Sequence, residues 1–488
     1  MTTFEELRKS KLTKLNELRA KGINPFPYHY ARTHYSNEIH KEFGYLKDGE
    51  ESGKKTKICG KIMGIRTFGK LAFLDVRDDK GKIQVQLKTP ETTQAAWELL
   101  SLLDTGDFVG AEGTIIRTQR GEISVLAHNL IVLAKSLAPM PDKWHGISNI
   151  EARYRQRYLD LLMNPEVKQV FINRSKIIQS VRNTLEKNGF IEVETPLLQP
   201  QYGGANARPF KTYYHALDEE WYLAIASELY LKRLTIGNME RVYTISKDFR
   251  NEDIDKTHNP EFTMMECYWA YADYNNIMQL TEDIFRDACI AVHGKTEFTF
   301  QGKIFDVGKK WEKISLKKAL KKYADIDADA LSNDEMLEIL QKNGKEMEGP
   351  KLRGLIINQL FETLAEKQLV NPTHLMDHPF ETTPLCKEHR SEKGLIERFE
   401  GFINGWEIAN GYSELNDPLK QRELLELQAK EGRAKGEQMP VDEEFLRAME
   451  YGMPPQGGVG LGIDRMCMLL LNQPTIQDVI FFPALRTK

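Results

Sequence analysis

No run of about 18 apolar residues occurs in this 488-residue chain, which excludes an ordinary membrane-spanning helix. The opening stretch, MTTFEELRKSKLTKLNELRAKG, lacks the apolar centre of a secretory signal and reads as a charged amphipathic helix. Cysteine is scarce. Cys59, Cys267, Cys289, Cys386 and Cys467 stand far apart, with no CxxC pair and no matching histidine spacing, so neither a disulfide framework nor a structural zinc is expected. Together these absences suit a reducing cytoplasm and a protein without a membrane partner. Internal repeats are missing too. With 41% hydrophobic and 28% charged residues the chain has none of the bias of disorder, and its length allows two or three domains.

The net charge of −4 hides an asymmetry. Residues 1–150 carry 23 Lys and Arg against 18 Asp and Glu, a balance of +5, so the rest is acidic at −9. A basic segment is what contact with nucleic acid needs, because neutralised phosphates release counterions; a merely solvated surface is the plain alternative. Within this segment KICGKIMGI, KLAFLDVRD, KIQVQLK, FVGAEGTII and ISVLAHNLIVLA read as five short strands. A helical stretch, ETTQAAWELLSLL, falls between the third and fourth. That order predicts an OB-fold β-barrel, a module that binds single-stranded nucleic acid by stacking bases on aromatics. Arg66, Phe73 and Gln84 form a stacking and base-edge trio, although each taken singly reads first as an ordinary barrel residue.

The predicted organisation is an N-terminal helix plus barrel over 1–142, a linker over 143–150, and a larger α+β domain over 151–488. A lysine- and glutamate-rich helical insertion with little chemistry is expected at about 290–385. Pro165 opens a helix whose apolar residues repeat at helical spacing to Gly189, and FIEVETP follows as a strand. RVYTIS and EFTMMECYWAY read as a hairpin around residues 251–260. Period two then places Phe262, Met264, Glu266 and Tyr268 on one face. With Arg250 on that face, the hairpin offers a guanidinium fork for phosphate, an aromatic plate for a base and a carboxylate for a cation, while His258 reaches from the turn towards a distal phosphate. A solvent-facing Arg/Glu pair over an aromatic core strand is the plain alternative.

Asn404-Gly405 predicts a two-residue hairpin turn pairing Ile403 with Trp406, Phe402 with Glu407 and Glu400 with Ala409. Glu400 and Glu407 then lie diagonally on one face, within reach of a shared magnesium ion. Asn410, Tyr412 and Glu414 would face away unless a bulge, expected at Gly411, turns them back. In GGVGLGIDRMCMLLLN a glycine-rich strand enters an apolar helix, with Asp464 expected at the cap and Arg465 in the first turn. The GxGxG spacing does not fit a dinucleotide fingerprint.

FRNE followed by HNPEFTMME, GLGIDR, and the helix before GFIEVETP resemble motifs two, three and one of the class II aminoacyl-tRNA synthetases. GGANARPF, ELYLKRL, NGYSELNDP and RYRQRYLDL resemble the lysyl-tRNA synthetase branch. The resemblance implies a class II antiparallel-sheet catalytic domain, an anticodon-binding barrel, and ATP-dependent transfer of L-lysine to lysine tRNA by a homodimer with Mg2+. It implies that Arg250 and Arg465 are catalytic. Arg250, Glu252, His258, Asn259, Phe262, Glu400 and Arg465 would bind ATP, and Glu400 and Glu407 the metal. Gly204, Glu228, Glu266, Tyr268, Asn410 and Glu414 would bind lysine, and Arg66, Phe73 and Gln84 the anticodon. Ser227, Ala409 and Tyr412 depart from the bacterial pattern, which bears on fine pocket shape. No lysine-rich extension precedes the first helix, which leans towards a bacterial-type form.

Overall fold

A computed structural model describes residues 3–141, 149–347, 349–431 and 441–486. The chain divides into two compact units, Met1–Gly146 and Ile147–Lys488. The linker expected at 143–150 lies, apart from its last two residues, outside the described residues.

In the first unit β1 (Glu51–Phe68), β2 (Leu71–Arg77), β3 (Lys82–Lys88), β4 (Phe108–Arg117) and β5 (Ile123–Ala134) close into a barrel in the order β1-β2-β3-β5-β4. Alternation drives it: Ala72, Leu74, Val76, Ile83, Val85 and Leu87 are buried inside, while the residues between them face out. The interrupting helix spans Gln94–Leu102, and its N-cap Thr93 accepts a hydrogen bond from the Ala96 amide. Two features differ from the sequence reading. The first strand starts at Glu51, and a further helix, Ser36–Phe43, packs Ile39 and Phe43 into the barrel core, with Ser36 tied to Asp78 through both amide and hydroxyl.

The second unit contains β6 (Ile191–Glu192), β7 (Leu198–Gln199), β8 (Lys211–Tyr214), β9 (Glu219–Leu223), β10 (Arg241–Phe249), β11 (Glu261–Ala270), β12 (Glu297–Phe300), β13 (Lys303–Asp306), β14 (Glu312–Ser315), β15 (Thr373–Pro379), β16 (Leu395–Ile403), β17 (Trp406–Ser413) and β18 (Gln456–Gly462). Eight of them form a largely antiparallel sheet in the order β14-β15-β16-β17-β18-β11-β10-β6. One face packs on the helices Pro165–Lys187, Tyr274–His293 and Ile463–Leu470, which bury Ile177, Val181, Leu185, Phe285 and Met466 against it. The other face is left for the cavity described below.

Three expectations change here. FIEVETP forms only a two-residue strand, Ile191–Glu192, with the Val193 amide donating to the Tyr243 carbonyl at 2.8 Å, because Pro196 follows and the segment meets β10 at a sheet edge. Residues 290–385 are not mainly helical: among the described residues, past the end of the helix Tyr274–His293, α-helix is found at Leu316–Ala324, Asn333–Lys342 and Arg353–Leu364, with short 3-10 turns at Glu366–Gln368 and Phe380–Thr382, while β14 and β15 extend the main sheet. Such short strands gain their stability from a partner distant in sequence, so their charged local composition misleads. Asp464 is not the helix cap, which is Gly462. It accepts instead from the Thr263 amide at 2.7 Å and pairs with Arg174 at 2.7 Å, pinning the helix start to the β10–β11 hairpin.

Candidate active site

The β10–β11 ladder pairs Asp248 with Phe262, Ser246 with Met264, Thr244 with Glu266 and Val242 with Tyr268. Period two thus holds: Phe262, Met264, Glu266 and Tyr268 all line one cavity of about 740 Å3. Arg250, just past β10, enters the same cavity with its guanidinium carbon 5.1 Å from the Phe262 ring centroid. Its Nε is buried without a hydrogen-bond partner among the described residues, a donor left for a ligand. Glu252, His258 and Asn259 line the cavity from the turn. Asn259 also braces it, donating to the Glu261 carbonyl and accepting from the Ala484 amide. His258 lies 2.8 Å from Asp255 and 3.0 Å, through Nε2, from Arg465. Partial burial opposes ionisation of Asp255, but the Thr257 amide and His258 outweigh it and hold the carboxyl down at about 2. Arg465 is braced in turn by the Glu407 carbonyl at 2.6 Å.

Asn404 and Gly405 both have positive φ, 54° and 71°, as the two-residue turn requires. The first two pairs beyond it are as expected, but Ile408 is an extra residue, so Gly401 pairs with Ala409 and Glu400 with Asn410. The bulge therefore sits at Ile408, not at Gly411. Ile408 is driven into the apolar core, and its insertion brings Glu407, Asn410, Tyr412 and Glu414 to the same cavity as Glu400. Gly411 serves a different purpose: a Cβ there would lie 2.6 Å from the Phe399 ring and 2.7 Å from the Gly458 carbonyl.

Glu400 is paired with Arg398, and Glu407 accepts from Asn410 at 3.3 Å. Burial, then the charge of Glu400, raises the Glu407 pKa. Burial, then the charges of Glu362 and Glu400, push Glu366, on the segment expected to carry little chemistry, to about 7. Among the described residues no cluster of three or more His, Cys, Asp or Glu could hold a metal alone. Two hard carboxylates in a negatively crowded site nevertheless fit Mg2+, which keeps several waters and completes its shell with substrate phosphates.

At the other end of the cavity Glu228, Glu266 and Glu414 come together. Glu266 accepts from the Ser227 amide at 3.2 Å, and its second oxygen is buried without a hydrogen-bond partner among the described residues. Burial, then the charges of Asp248 and Glu228, hold its pKa well above the usual carboxylate range. Gly204, at φ 85°, closes over them: a Cβ there would stand 3.1 Å from that of Glu228 and 3.2 Å from that of Ala226. Sequence reasoning missed Lys232, a fully buried ammonium 2.5 Å from Glu228 and 2.6 Å from Glu414. The signal was only an i,i+4 Glu/Lys spacing, which on most helices marks a solvated surface.

In the barrel Arg66 pairs directly with Phe73 across β1 and β2, on the outer face. Gln84 is two pairs further along, opposite Asp75. Asp75 holds Arg66 through two hydrogen bonds of 3.0 and 2.9 Å, and Gln84 accepts from Ser124.

The family model described as "tRNA synthetases class II (D, K and N)" matches residues 149–486, and that described as "OB-fold nucleic acid binding domain" matches residues 56–133. Similar curated proteins include the "Lysine--tRNA ligase" of Thermosynechococcus vestitus, 45% identical over 99% of this chain and 97% of its own length. Those of Syntrophomonas wolfei, at 45%, and Roseiflexus sp., at 46%, likewise align over 99% of this chain and 98% and 99% of their own lengths. With the barrel, the antiparallel sheet and the cavity all inside these matches, the chain belongs to the class II tRNA synthetases of the D, K and N group.

Proposed function

We propose that this chain is a lysine–tRNA ligase that activates L-lysine with ATP and transfers it to the 3′ end of lysine tRNA. The observation that carries this reading is the convergence of Glu228, Glu266 and Glu414 beside Arg250 in one cavity. Three carboxyl groups against one ammonium, that of Lys232, leave a demand for a second cation, whose arrival favours their ionisation. A diamino acid satisfies it; aspartate and asparagine, the other amino acids of the group, do not. The similarity to lysine–tRNA ligases over nearly the whole chain supports the same choice.

In this reading the carboxylate of lysine attacks the α-phosphorus of ATP and pyrophosphate leaves; the adenylate then passes its acyl group to the terminal ribose of the tRNA. The nucleophile arrives ionised, so the first step depends on alignment and charge stabilisation more than on a general base. Arg250 meets the α-phosphate, His258 the γ-phosphate and Glu252 the adenine amino group. Phe262 and Arg465 enclose the base. Lysine is held by Gly204, Glu228, Glu266, Tyr268, Asn410 and Glu414. Glu400 and Glu407 would hold Mg2+, which when bound neutralises phosphate charge. Exposed Ile191, Leu198, Tyr213 and Leu217 support a homodimer built on this edge of the second unit. The reading suits a cytoplasmic enzyme, and among the described residues no helix is long and apolar enough to cross a membrane.

ATP–pyrophosphate exchange with each of the twenty amino acids tests the assignment. Lysine alone is expected to support it, with ornithine, one methylene shorter, about 10–200-fold weaker. Exchange driven by aspartate or asparagine would overturn it. The barrel has its own test. Phe73→Ala is expected to raise the KM for lysine tRNA about 10-fold, since one stacked base contributes about 1–3 kcal/mol, while leaving exchange unchanged. Equal loss in both assays would argue against an anticodon role.

A further inference from the structure

The helix Glu228–Ile236 starts at the cavity wall, and residues four apart stack on one of its faces. Lys232 lies one turn behind Glu228 with no solvent exposure and does not line the cavity. Its neighbour Arg233 points elsewhere, pairing with Asp442 at 2.7 Å. Lys232 Nζ bridges Glu228 Oε1 and Glu414 Oε2, at 2.5 and 2.6 Å, and stands 5.8 Å from the centroid of the Tyr268 ring. Burying an ammonium costs several kcal/mol unless it is paired, and both partners here are cavity carboxylates from different parts of the chain. Each gives Lys232 one oxygen. Glu414 Oε1, the other, is buried without a hydrogen-bond donor among the described residues.

We propose that Lys232 is a positioning residue for the amino-acid pocket: its ammonium is a built-in counter-ion that ties Glu228 to Glu414, offsets the repulsion between them and turns their second oxygens towards the substrate's distal ammonium. This rests on the reading of the cavity as a lysine pocket. Without the bridge, two close carboxylates with Glu266 beside them cannot all ionise, and one takes up a proton. A protonated acid holds an ammonium poorly. The groups facing Lys232 are Glu228 on its own helix, Glu414 and its bridge partner Cys386, and Tyr268 on β11. Burial lowers the Lys232 pKa, but Glu228 and Glu414 outweigh it and raise it overall, so the ammonium persists through the neutral range. Burial pushes Glu414 up to about 8 even with Lys232 opposing it. Removing Lys232 therefore moves that carboxyl further up.

The test compares the full-length wild type with Lys232→Met, Lys232→Gln and Lys232→Arg in ATP–pyrophosphate exchange from pH 6.5 to 9, with thermal unfolding in the same buffers. The neutral variants are expected to raise the KM for lysine about 10-fold or more at pH 7, leaving the KM for ATP unchanged. The apparent pKa governing the lysine KM is expected to move up by about one unit, so the deficit shrinks as pH rises and Glu414 ionises. Lys232→Arg restores both. A normal lysine KM in either neutral variant, or a deficit that stays constant with pH, overturns the proposal. So does failure of both neutral variants to fold, which would make Lys232 purely structural. Wild-type enzyme inactive with lysine would instead sink the substrate assignment, a distinct result.

Discussion

Replacing Arg250 with alanine is expected to lower kcat for lysine-dependent ATP–pyrophosphate exchange by about 10³-fold or more while the protein stays folded. The reacting phosphate gains negative charge as the lysine carboxylate attacks, and a donor already aimed at that charge stabilises it without reorganisation; losing one such donor costs about 10²–10³-fold. Arg250 offers a planar fork rather than a single donor. Among the described residues its Nε is buried and unpartnered, and its guanidinium rests on Phe262. The fold should tolerate the change. The fully buried neighbour Asp248 is pushed to about 7 by burial, with Arg250 opposing. Without Arg250 its carboxyl rises further and is neutral at pH 7, so no unpaired charge is trapped. Exchange kinetics with calorimetric unfolding check both halves; full exchange by a folded Arg250→Ala protein would remove Arg250 from the mechanism.

Local periodicity made the walls of the site legible, whereas its floor depended on contacts that no local pattern records. Alternation placed Phe262, Met264, Glu266 and Tyr268 together because period two is a property of any strand. Asn404-Gly405 fixed the next hairpin because few residues adopt positive φ cheaply. The bulge was misplaced for a physical reason: Gly411 suggested backbone freedom, but it is small to let Phe399 approach, and the extra residue is Ile408, which the core takes up. Lys232 escaped notice, and Asp464 was read as a cap, because their partners, Glu414 for one and Arg174 with the Thr263 amide for the other, come from distant segments. The edge strand Glu312–Ser315 and its neighbour Thr373–Pro379 were hidden likewise, since the sheet that pairs them joins segments far apart in the chain.

Gly458→Ala is expected to raise the KM for lysine about 10–100-fold with the KM for ATP unchanged, whereas Gly460→Ala, two residues on in the same strand, should behave as wild type. Both glycines line the cavity on β18, and neither has the positive φ that would penalise alanine by itself. They differ in what a methyl group would meet. At Gly458 it would stand 2.4 Å from both the Tyr268 ring and Glu414 Oε1, far inside the ordinary carbon contact of about 3.5–4 Å. At Gly460 its nearest neighbours are Met264 Sδ at 3.6 Å and Glu266 Cγ at 3.8 Å, ordinary contacts. The Tyr268 ring is buried between strands and cannot retreat, and Glu414 is held on its other oxygen by Lys232. Overpacking of this kind costs about 1–3 kcal/mol. Glu414 Oε1 is the one that must yield, and in doing so it turns away from the substrate ammonium. Steady-state exchange for the two variants decides the matter. Equal lysine KM values would mean that the free oxygen of Glu414 does not hold the amino acid.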